Sequence, residues 1–170
     1  MPAVADSSAL IWLAKAGRLD LLRDQYGEVS IPREVYREAV EQGLAEGYSD
    51  AHAISEAIQS GWMTIEETPD SPRMKRLMAD AREIGAGEAA SILLASETHR
   101  QLIIDDADGR SLAQTLGLRP KGTIHVLLTA TRRNKLTRAE AAEALALMVE
   151  KGFRIDPSTL SRVLAELNAP

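Results

Sequence analysis

Short apolar segments alternate with longer helix-forming segments along most of this chain of 170 residues. Each short segment has the length and composition of a buried strand, and a run with helical spacing follows it. Strands that are separated by helices form parallel sheets with helices on both faces. The alternation therefore predicts an α/β fold with a mostly parallel central sheet. The predicted strands are Pro2–Asp6, Glu28–Ile31, Trp62–Ile65 and Gln101–Ile104, with a very short further strand before Gly122.

Caps and breakers set the expected helix boundaries. Ser7 and Ser8 are good N-cap residues, Pro32 suits the first position of a helix, and Gly43 suits its end. No linker, repeat or low-complexity block interrupts the pattern, so residues 1–170 are expected to form one domain. The predicted helices are Ala9–Ala16, Arg18–Tyr26, Pro32–Gly43, Ala51–Ser60, Pro72–Glu83, Glu88–Ser96, Ala107–Leu116, Gly122–Thr131, Ala139–Glu150 and Pro157–Leu167.

The composition excludes several classes of function. The chain has no cysteine, which excludes disulfides, thiolate metal sites and a cysteine nucleophile. No apolar stretch approaches a membrane span, and the first residues lack the pattern of a signal peptide, so a cytoplasmic protein is expected. A net charge of −5 argues against passive binding of nucleic acid by bulk electrostatics. It argues less against an enzyme that collects its acids in one metal-binding pocket.

Carboxylates stand where the predicted strands reach one edge of the sheet. The clearest case is the stretch LIIDD, in which three apolar residues lead directly into Asp105 and Asp106. Asp6 ends the first strand, Glu38 lies on the helix after the second strand, and Glu88 opens the helix before LIIDD. Carboxylates that share a site repel one another unless a cation lies between them, and hard divalent cations prefer such oxygen ligands. The pattern predicts a Mg²⁺ or Mn²⁺ site that assists hydrolysis at a phosphoryl group.

Each of these acids also has a structural explanation. Asp6 can simply cap the first helix, and Glu38 can be a solvated surface residue. Glu88 and Asp108 each favour the first turn of a helix through its dipole. One of the paired aspartates after LII can cap the next helix, but two in succession favour a functional role. His125, within an apolar helical run, is more typical of a packed histidine than of a ligand.

Five segments of the sequence follow one another in a characteristic order, namely VADSSALIWLAKAG (4–17), IPREVYREAV (31–40), GAGEAASILLA (85–95), LIIDDADGRSLAQTLGL (102–118) and GTIHVLLTA (122–130). Together they resemble the PIN-domain superfamily. Within it the closest likeness is to small prokaryotic proteins similar to the VapC-type toxins of VapBC toxin–antitoxin pairs. The resemblance covers residues 3–131, and a helical tail over residues 135–170 is also typical of that branch.

The resemblance implies a three-layer α/β/α sandwich and a ribonuclease that depends on Mg²⁺ or Mn²⁺. It implies catalytic roles for Asp6, Glu38, Glu88 and Asp106, and metal ligation by Asp6, Glu88, Asp105 and Asp106. Ser7 matches a residue with a small hydroxyl group that supports the metal or its bound water. Related proteins often have Thr or Ser followed by Asp at positions 105–106, so which of this pair binds the metal stays open. Replacing Asp6 by Asn is expected to abolish cleavage.

The resemblance also implies partners, namely RNA as the substrate, an antitoxin protein and a second copy of the chain in a homodimer. Arg110 is a candidate contact for an RNA phosphate, and an internal salt bridge explains it equally well. The basic run Arg132, Arg133 and Lys135 is a second candidate patch, and a solvated helix end explains it equally well.

Two other classes of function stay open at this stage. One is a PIN-fold binding protein with weak or no nuclease activity, which would act through partner contacts. The apolar faces of the helices at 139–150 and 157–167 would then be surface for a partner rather than core. The other is a phosphatase or receiver domain on a doubly wound sheet. It is disfavoured because no DxDxT-type motif follows the first strand and the acidic pair comes late.

Overall fold

A parallel sheet forms the centre of the molecule in the computed structural model, which describes residues 1–68, 72–73, 76, 79 and 84–168. Among these residues the strand order is β3-β2-β1-β4, and every pairing is parallel. Lys121 extends the sheet beyond β4 through a single parallel bridge to Ile103, which is the very short strand expected before Gly122. The strands are β1 (Ala3–Ala5), β2 (Val29–Pro32), β3 (Met63–Glu66) and β4 (Gln101–Ile103).

The strand order places β1 and β4 side by side, although most of the chain separates them in sequence. Val4 pairs with Leu102, and the Asp6 amide donates to the Ile103 carbonyl at 2.9 Å, just beyond the end of β1. The chain moves outwards from β1 through β2 to β3 and then returns to the other side of β1. Such a reversal opens a crevice at the carboxyl ends of the two strands, where α/β proteins bind their ligands.

Alternating side chains of the strands divide the core into two layers. Ala3, Ala5 and Ile103 face one layer, whereas Val4 and Leu102 face the other. Helices cover both layers, because each apolar face of the sheet must be removed from water. The predicted three-layer α/β/α architecture is confirmed.

Helices connect the strands and cover both faces. The helix after β2 continues from α3 through a π-helical turn at Arg37–Gln42 into α4, with no break in the backbone. The helices are α1 (Ser7–Lys15), α2 (Asp20–Tyr26), α3 (Arg33–Tyr36), α4 (Gly43–Ala45), α5 (Ser49–Gln59), α6 (Ala86–Thr98), α7 (Ala107–Thr115), α8 (Thr123–Arg132), α9 (Arg138–Glu150) and α10 (Pro157–Asn168).

Three helix boundaries in the structure differ from the predicted ones. Asp6 caps α1 through its side chain, so Ser7 and Ser8 are the first helical residues rather than the caps. Pro32 is the last residue of β2 and has extended backbone angles, so the following helix begins one residue later. Gly43 has helical angles and lies within the helix rather than at its end. The predicted helix at 72–83 lies for the most part outside the described residues.

The C-terminal tail belongs to the same core as the sheet. Leu145 and Met148 of α9 and Val163 of α10 are buried in the layer that also contains Ala3 and Ala5. The ring of Phe153 meets the ring of Trp12 edge to face, with centroids 5.4 Å apart. The apolar faces of the tail are therefore mostly core, although Val149 is 39% exposed.

None of the helices in the described part of the chain has the length and apolar run needed to span a lipid bilayer.

Replacing Leu145 by Ala is predicted to lower the free energy of unfolding by about 2–4 kcal/mol, because a fully buried side chain is lost from the core. Val149→Ala, on the exposed side of the same helix, is the matched control and should cost less than about 1 kcal/mol. Urea denaturation of the three proteins measures both values. Equal effects of the two substitutions would contradict a tail that is part of the core.

Candidate active site

Asp6 is the buried centre of the acidic residues that follow the strands. It directly follows β1, and its side chain is completely shielded from solvent. Ser8 donates to its Oδ2 through both the hydroxyl, at 2.7 Å, and the amide, at 3.2 Å. Burial raises the pKa of Asp6 from 3.8 to about 6, although the hydrogen bonds from Ser8 favour the charged form. Asp6 is thus both the helix cap and a buried acid of altered acidity.

Glu38 lies in the π-helical turn, and its side chain extends to the acidic residues around Asp6. Its Oε2 accepts a hydrogen bond from the Ser7 hydroxyl at 2.9 Å, and its Oε1 accepts one from the Gly87 amide at 3.1 Å. A Cβ atom at position 87 would overlap the Glu38 carboxylate, so only glycine lets the two helices meet in this way. π-Helical turns inside α-helices are frequent at functional sites, where they change the direction of a side chain.

Glu88 receives the electrostatic effect of the other acids. It lies in the first turn of α6, where its Oε2 accepts a hydrogen bond from the Gly85 amide at 3.2 Å. Burial and the negative charges of Asp6, Asp106 and Glu38 raise its pKa from 4.5 to about 7. Acids from four separate segments of the chain therefore converge at the crevice between β1 and β4.

The adjacent aspartates after β4 have different surroundings. Both oxygens of Asp105 are occupied, since Oδ1 accepts from the Thr123 amide at 2.8 Å and Oδ2 from the Thr123 hydroxyl at 2.5 Å. Burial raises the pKa of Asp105, whereas Thr123 and the nearby Arg110 lower it. Asp106 caps α7 with Oδ1, which accepts from the Asp108 and Gly109 amides at 2.9 Å each. Asp106 is exposed, and no described residue donates to its Oδ2.

These donors match a hard divalent cation in chemical kind. They are all carboxylate oxygens that repel one another, and no positively charged side chain is among the groups that chiefly set the pKa values of Asp6 and Glu88. Oε1 of Glu88 and Oδ2 of Asp106 have no hydrogen-bond donor among the described residues. In that part of the chain, however, no three acidic or histidine side chains are already closed round one point as a metal cage.

Arg110 and His125 line the same cavity as Asp105. Arg110 donates to the Ile104 carbonyl at 3.1 Å, and its guanidinium lies near the Asp105 carboxylate. The His125 ring is half-buried, and its Nε2 is 3.2 Å from the Thr129 hydroxyl. Burial and nearby positive charges, first that of Lys121, lower the pKa of His125, so the neutral ring is favoured.

The basic residues at the end of α8 have two kinds of surroundings, since one forms an ion pair and the others are exposed to solvent. Arg132 forms an ion pair with Glu166 of α10, at 2.7 Å, so it differs from both the phosphate contact and the solvated helix end that its sequence position allowed. Arg133 and Lys135 are exposed. The charge of Arg133 acts on His125 and Tyr26, so Arg133 lies on the same side of the molecule as the histidine.

Several residues of the site carry no signal in a carboxylate pattern. Ser8 and Thr123 satisfy the oxygens of Asp6 and Asp105, and Gly87 makes room for Glu38. Serine after aspartate at a helix start, and glycine beside Glu88 in a first turn, are the only local hints. Thr123, 18 residues from Asp105, has no local signal at all.

The family of the chain is shown by a family model described as a PIN domain, which matches residues 2–169. The chain therefore belongs to the PIN-domain family, as the sequence motifs predicted, and PIN domains are a superfamily of nucleases. No curated protein matches the sequence.

Solved structures with a similar chain path include two archaeal proteins. One is the PilT N-terminus domain protein SSO1118 from Sulfolobus solfataricus P2, with 19% identity, a TM-score of 0.49, and coverage of 76% of this chain and 93% of that one. The other is PAE2754 from Pyrobaculum aerophilum, with 19% identity, a TM-score of 0.47, and coverage of 69% of this chain and 98% of that one. The family assignment rests on the family model.

In EDTA the protein is predicted to lose stability as the pH rises from 5 to 8. The folded state binds protons to Asp6 and Glu88 more tightly than the unfolded state does, because both pKa values are raised. That stabilisation is complete below the unfolded values and is lost as pH passes about 6 and about 7. Asp6 alone contributes about 1 kcal/mol over this interval.

Urea denaturation at each pH measures the slope, and Asp6→Asn is the informative variant. It removes a group that titrates in this interval, so its stability should depend less on pH than that of the wild type. The lowered pKa of His125 acts in the opposite direction, so the comparison of the two proteins is decisive. An equal dependence on pH in Asp6→Asn and the wild type would contradict the raised pKa of Asp6.

Proposed function

We propose that this chain is a ribonuclease that hydrolyses RNA phosphodiesters with Mg²⁺ or Mn²⁺ held by Asp6, Glu88 and Asp106. The observation that carries the proposal is the convergence of four carboxylates, those of Asp6, Glu38, Glu88 and Asp106, at the carboxyl edge of the sheet, where burial and the other three charges raise the pKa of Glu88. Fixed negative charges without a cationic partner are costly, and a bound divalent cation removes that cost. The nuclease character of the PIN superfamily supports the same chemistry.

The structure favours Asp106 over Asp105 as the ligand of the pair. Thr123 occupies both oxygens of Asp105, and the Asp105 charge is close to Arg110. Asp106 keeps one oxygen for a ligand, and its charge acts on Glu88. Asp105 would then fix the start of α8 and leave the cation to its neighbour.

The residues of the site have separate tasks in hydrolysis. When bound, the cation supplies positive charge against the scissile phosphate and makes the attacking water more acidic. Glu38 is fixed by Ser7 and Gly87, and its remaining lone pairs can accept a hydrogen bond that orients the water. Ser7 thus acts on Glu38, and Ser8 holds Asp6 at the end of β1.

A toxin role in a toxin–antitoxin pair is the finer part of the proposal, and the sequence resemblance to VapC-type proteins supports it. The partners would be an antitoxin protein and a second copy of the chain. Expression in growing cells tests this role, since arrest of growth should require an intact Asp6.

A second candidate is a PIN-fold protein that binds partners and has little nuclease activity. The observation that favours it is the absence, among the described residues, of a preformed cage of three ligands. Metal binding and RNA cleavage have to be measured together to separate the two candidates.

Mn²⁺ in hundredfold excess over its Kd is predicted to stabilise the wild type by about 3 kcal/mol, because the cation binds only the folded site. Asp6→Asn should lose this stabilisation and lower RNA cleavage by more than about a hundredfold. Asp24→Asn, on the exposed surface of α2, is the matched control and should keep both. Thermal unfolding and cleavage of a labelled RNA, each with Mn²⁺ and with EDTA, provide the two readouts.

The pattern of results separates the candidates. Cleavage by Asp6→Asn at the wild-type rate would refute the site. Stabilisation by Mn²⁺ without cleavage by the wild type would favour the binding protein. No effect of the metal on either measurement would leave these acids as helix caps.

Gly87→Ala is predicted to lower cleavage about 10–100-fold while leaving stability within about 1 kcal/mol of the wild type. The three atoms nearest to the new methyl group all belong to the flexible end of the Glu38 side chain, which it displaces. Gly85→Ala, two residues earlier, meets no atom within 4 Å and is the control. Unchanged cleavage by Gly87→Ala would show that the position of Glu38 does not matter.

A further inference from the structure

A cavity of about 670 Å³ lies beside the acidic residues, between α7, α8 and the C-terminal tail. Asp105 and Arg110 are among the residues that line it, so the cavity adjoins the candidate active site. Its outer wall comes from residues 153–166, which include the start and middle of α10. Cavities of this size accept small organic groups such as a nucleotide.

Two arginines in the outer wall have guanidinium groups without an ion-pair partner among the described residues. Arg154 and Arg162 both line the cavity, and both are exposed. No described residue forms a hydrogen bond or ion pair with either of them. A guanidinium with no internal partner and an open side is well suited to a phosphate, which it can bind with two parallel hydrogen bonds.

The acids of the same wall are already engaged. Glu166 forms its ion pair with Arg132, and Asp156 caps α10 by accepting from the Thr159 amide at 2.9 Å and the Ser158 hydroxyl. These hydrogen bonds lower the pKa of Asp156, so it stays charged and fixed at the helix start. Neither acid forms an ion pair with Arg154 or Arg162.

Positive charge also surrounds the histidine on the opposite wall. After burial, the charges of Lys121, Arg132, Arg110 and Arg133 lower the pKa of His125. A protein with a net charge of −5 thus concentrates cations on one side of its acidic crevice. Such a local field attracts a polyanion to that side.

The floor of the cavity is apolar. Ile124 and Leu128 of α8 and Ile155 of the tail are half-buried and line it. An apolar floor below a cationic rim matches a nucleotide, whose base is flat and largely apolar on its faces and whose phosphate is charged. An acidic peptide would satisfy the rim but would leave this floor unused.

We propose that the cavity binds one nucleotide of single-stranded RNA next to the scissile phosphate, with its base on Ile124 and Leu128 and flanking phosphates at Arg154 and Arg162. This inference rests on the proposed function, because it takes RNA as the substrate of the adjacent acids. In this proposal the C-terminal tail binds the substrate, and the residues around Asp6 carry out the hydrolysis.

Binding of a fluorescent oligouridylate in EDTA tests the cationic rim without any cleavage. The double variant Arg154→Ala/Arg162→Ala is expected to bind about tenfold more weakly than the wild type. The slope of log K against log salt should fall by about 1.4, because two phosphate contacts of a single strand are lost. Arg23→Ala/Arg119→Ala, which removes two exposed charges outside the cavity, is the control and should bind as the wild type does.

Filling the cavity tests the base site without a change of charge. Ser111 is exposed on α7 and lines the cavity, so Ser111→Trp places a bulky ring in it. Its affinity for the oligouridylate should fall by about tenfold. Ser161→Trp, exposed on α10 outside the cavity, is the matched control and should bind normally. Thermal unfolding of all variants, each within a few degrees of the wild type, shows that the effects are on binding.

The outcomes separate this inference from the proposed function. Weaker binding by both cavity variants and normal binding by both controls would support the nucleotide site, even if the wild type cleaved no RNA. Equal binding by cavity and control variants, or no binding by the wild type, would overturn it, even if Mn²⁺-dependent cleavage required Asp6. Competition by polyglutamate as strong as that by unlabelled RNA would also overturn it, because the cavity would then recognise charge alone.

Discussion

The burial of Asp6 without a positive partner is the constraint on which the site depends. A carboxylate taken out of water is destabilised unless hydrogen bonds or opposite charge compensate, and among the described residues only hydrogen bonds are supplied to Asp6. The apolar core on both faces of the sheet provides the stability that lets this residue stay in place. The consequence is a site in which negative charge is concentrated by the fold before any ligand arrives, as is usual where proteins give up stability for function.

The sheet and the helix after β2 bring that charge together. Placing β4 next to β1 puts Asp6 and Asp106 at adjacent strand ends, and no local preference of either segment does this. The π-helical turn then directs Glu38 towards the same point, where Gly87 leaves room for it. Each of these features makes sense only in relation to the others, which explains why the chain keeps a glycine in the first turn of a buried helix.

The sequence was sufficient for the layers, and it also indicated which acids the structure brings together at one edge of the sheet. Apolar strands between helices admit few arrangements other than a parallel sheet, and carboxylates at strand ends converge in any such sheet. The sequence left the cap of α1 open between Asp6 and the two serines, because both residue types are favoured at that position. Pro32 fits the end of a strand as well as the start of a helix, since its φ of −61° suits both.

The different surroundings of Asp105 and Asp106 come from Thr123, and the pairing of Arg132 comes from Glu166 in α10. Contacts over such distances in sequence follow from tertiary packing, which local patterns do not contain.

The position of α10 determines when the fold can be completed during synthesis. Val163 and Leu167 belong to the same core layer as the first strand, so that layer stays incomplete while these residues are still inside the ribosome. The acids leave the ribosome before the wall that contains Arg154 and Arg162. A nascent chain therefore exposes its acidic residues before the scaffold that positions them is complete. Val163 and Leu167 can close the layer around β1 only when α10 has emerged.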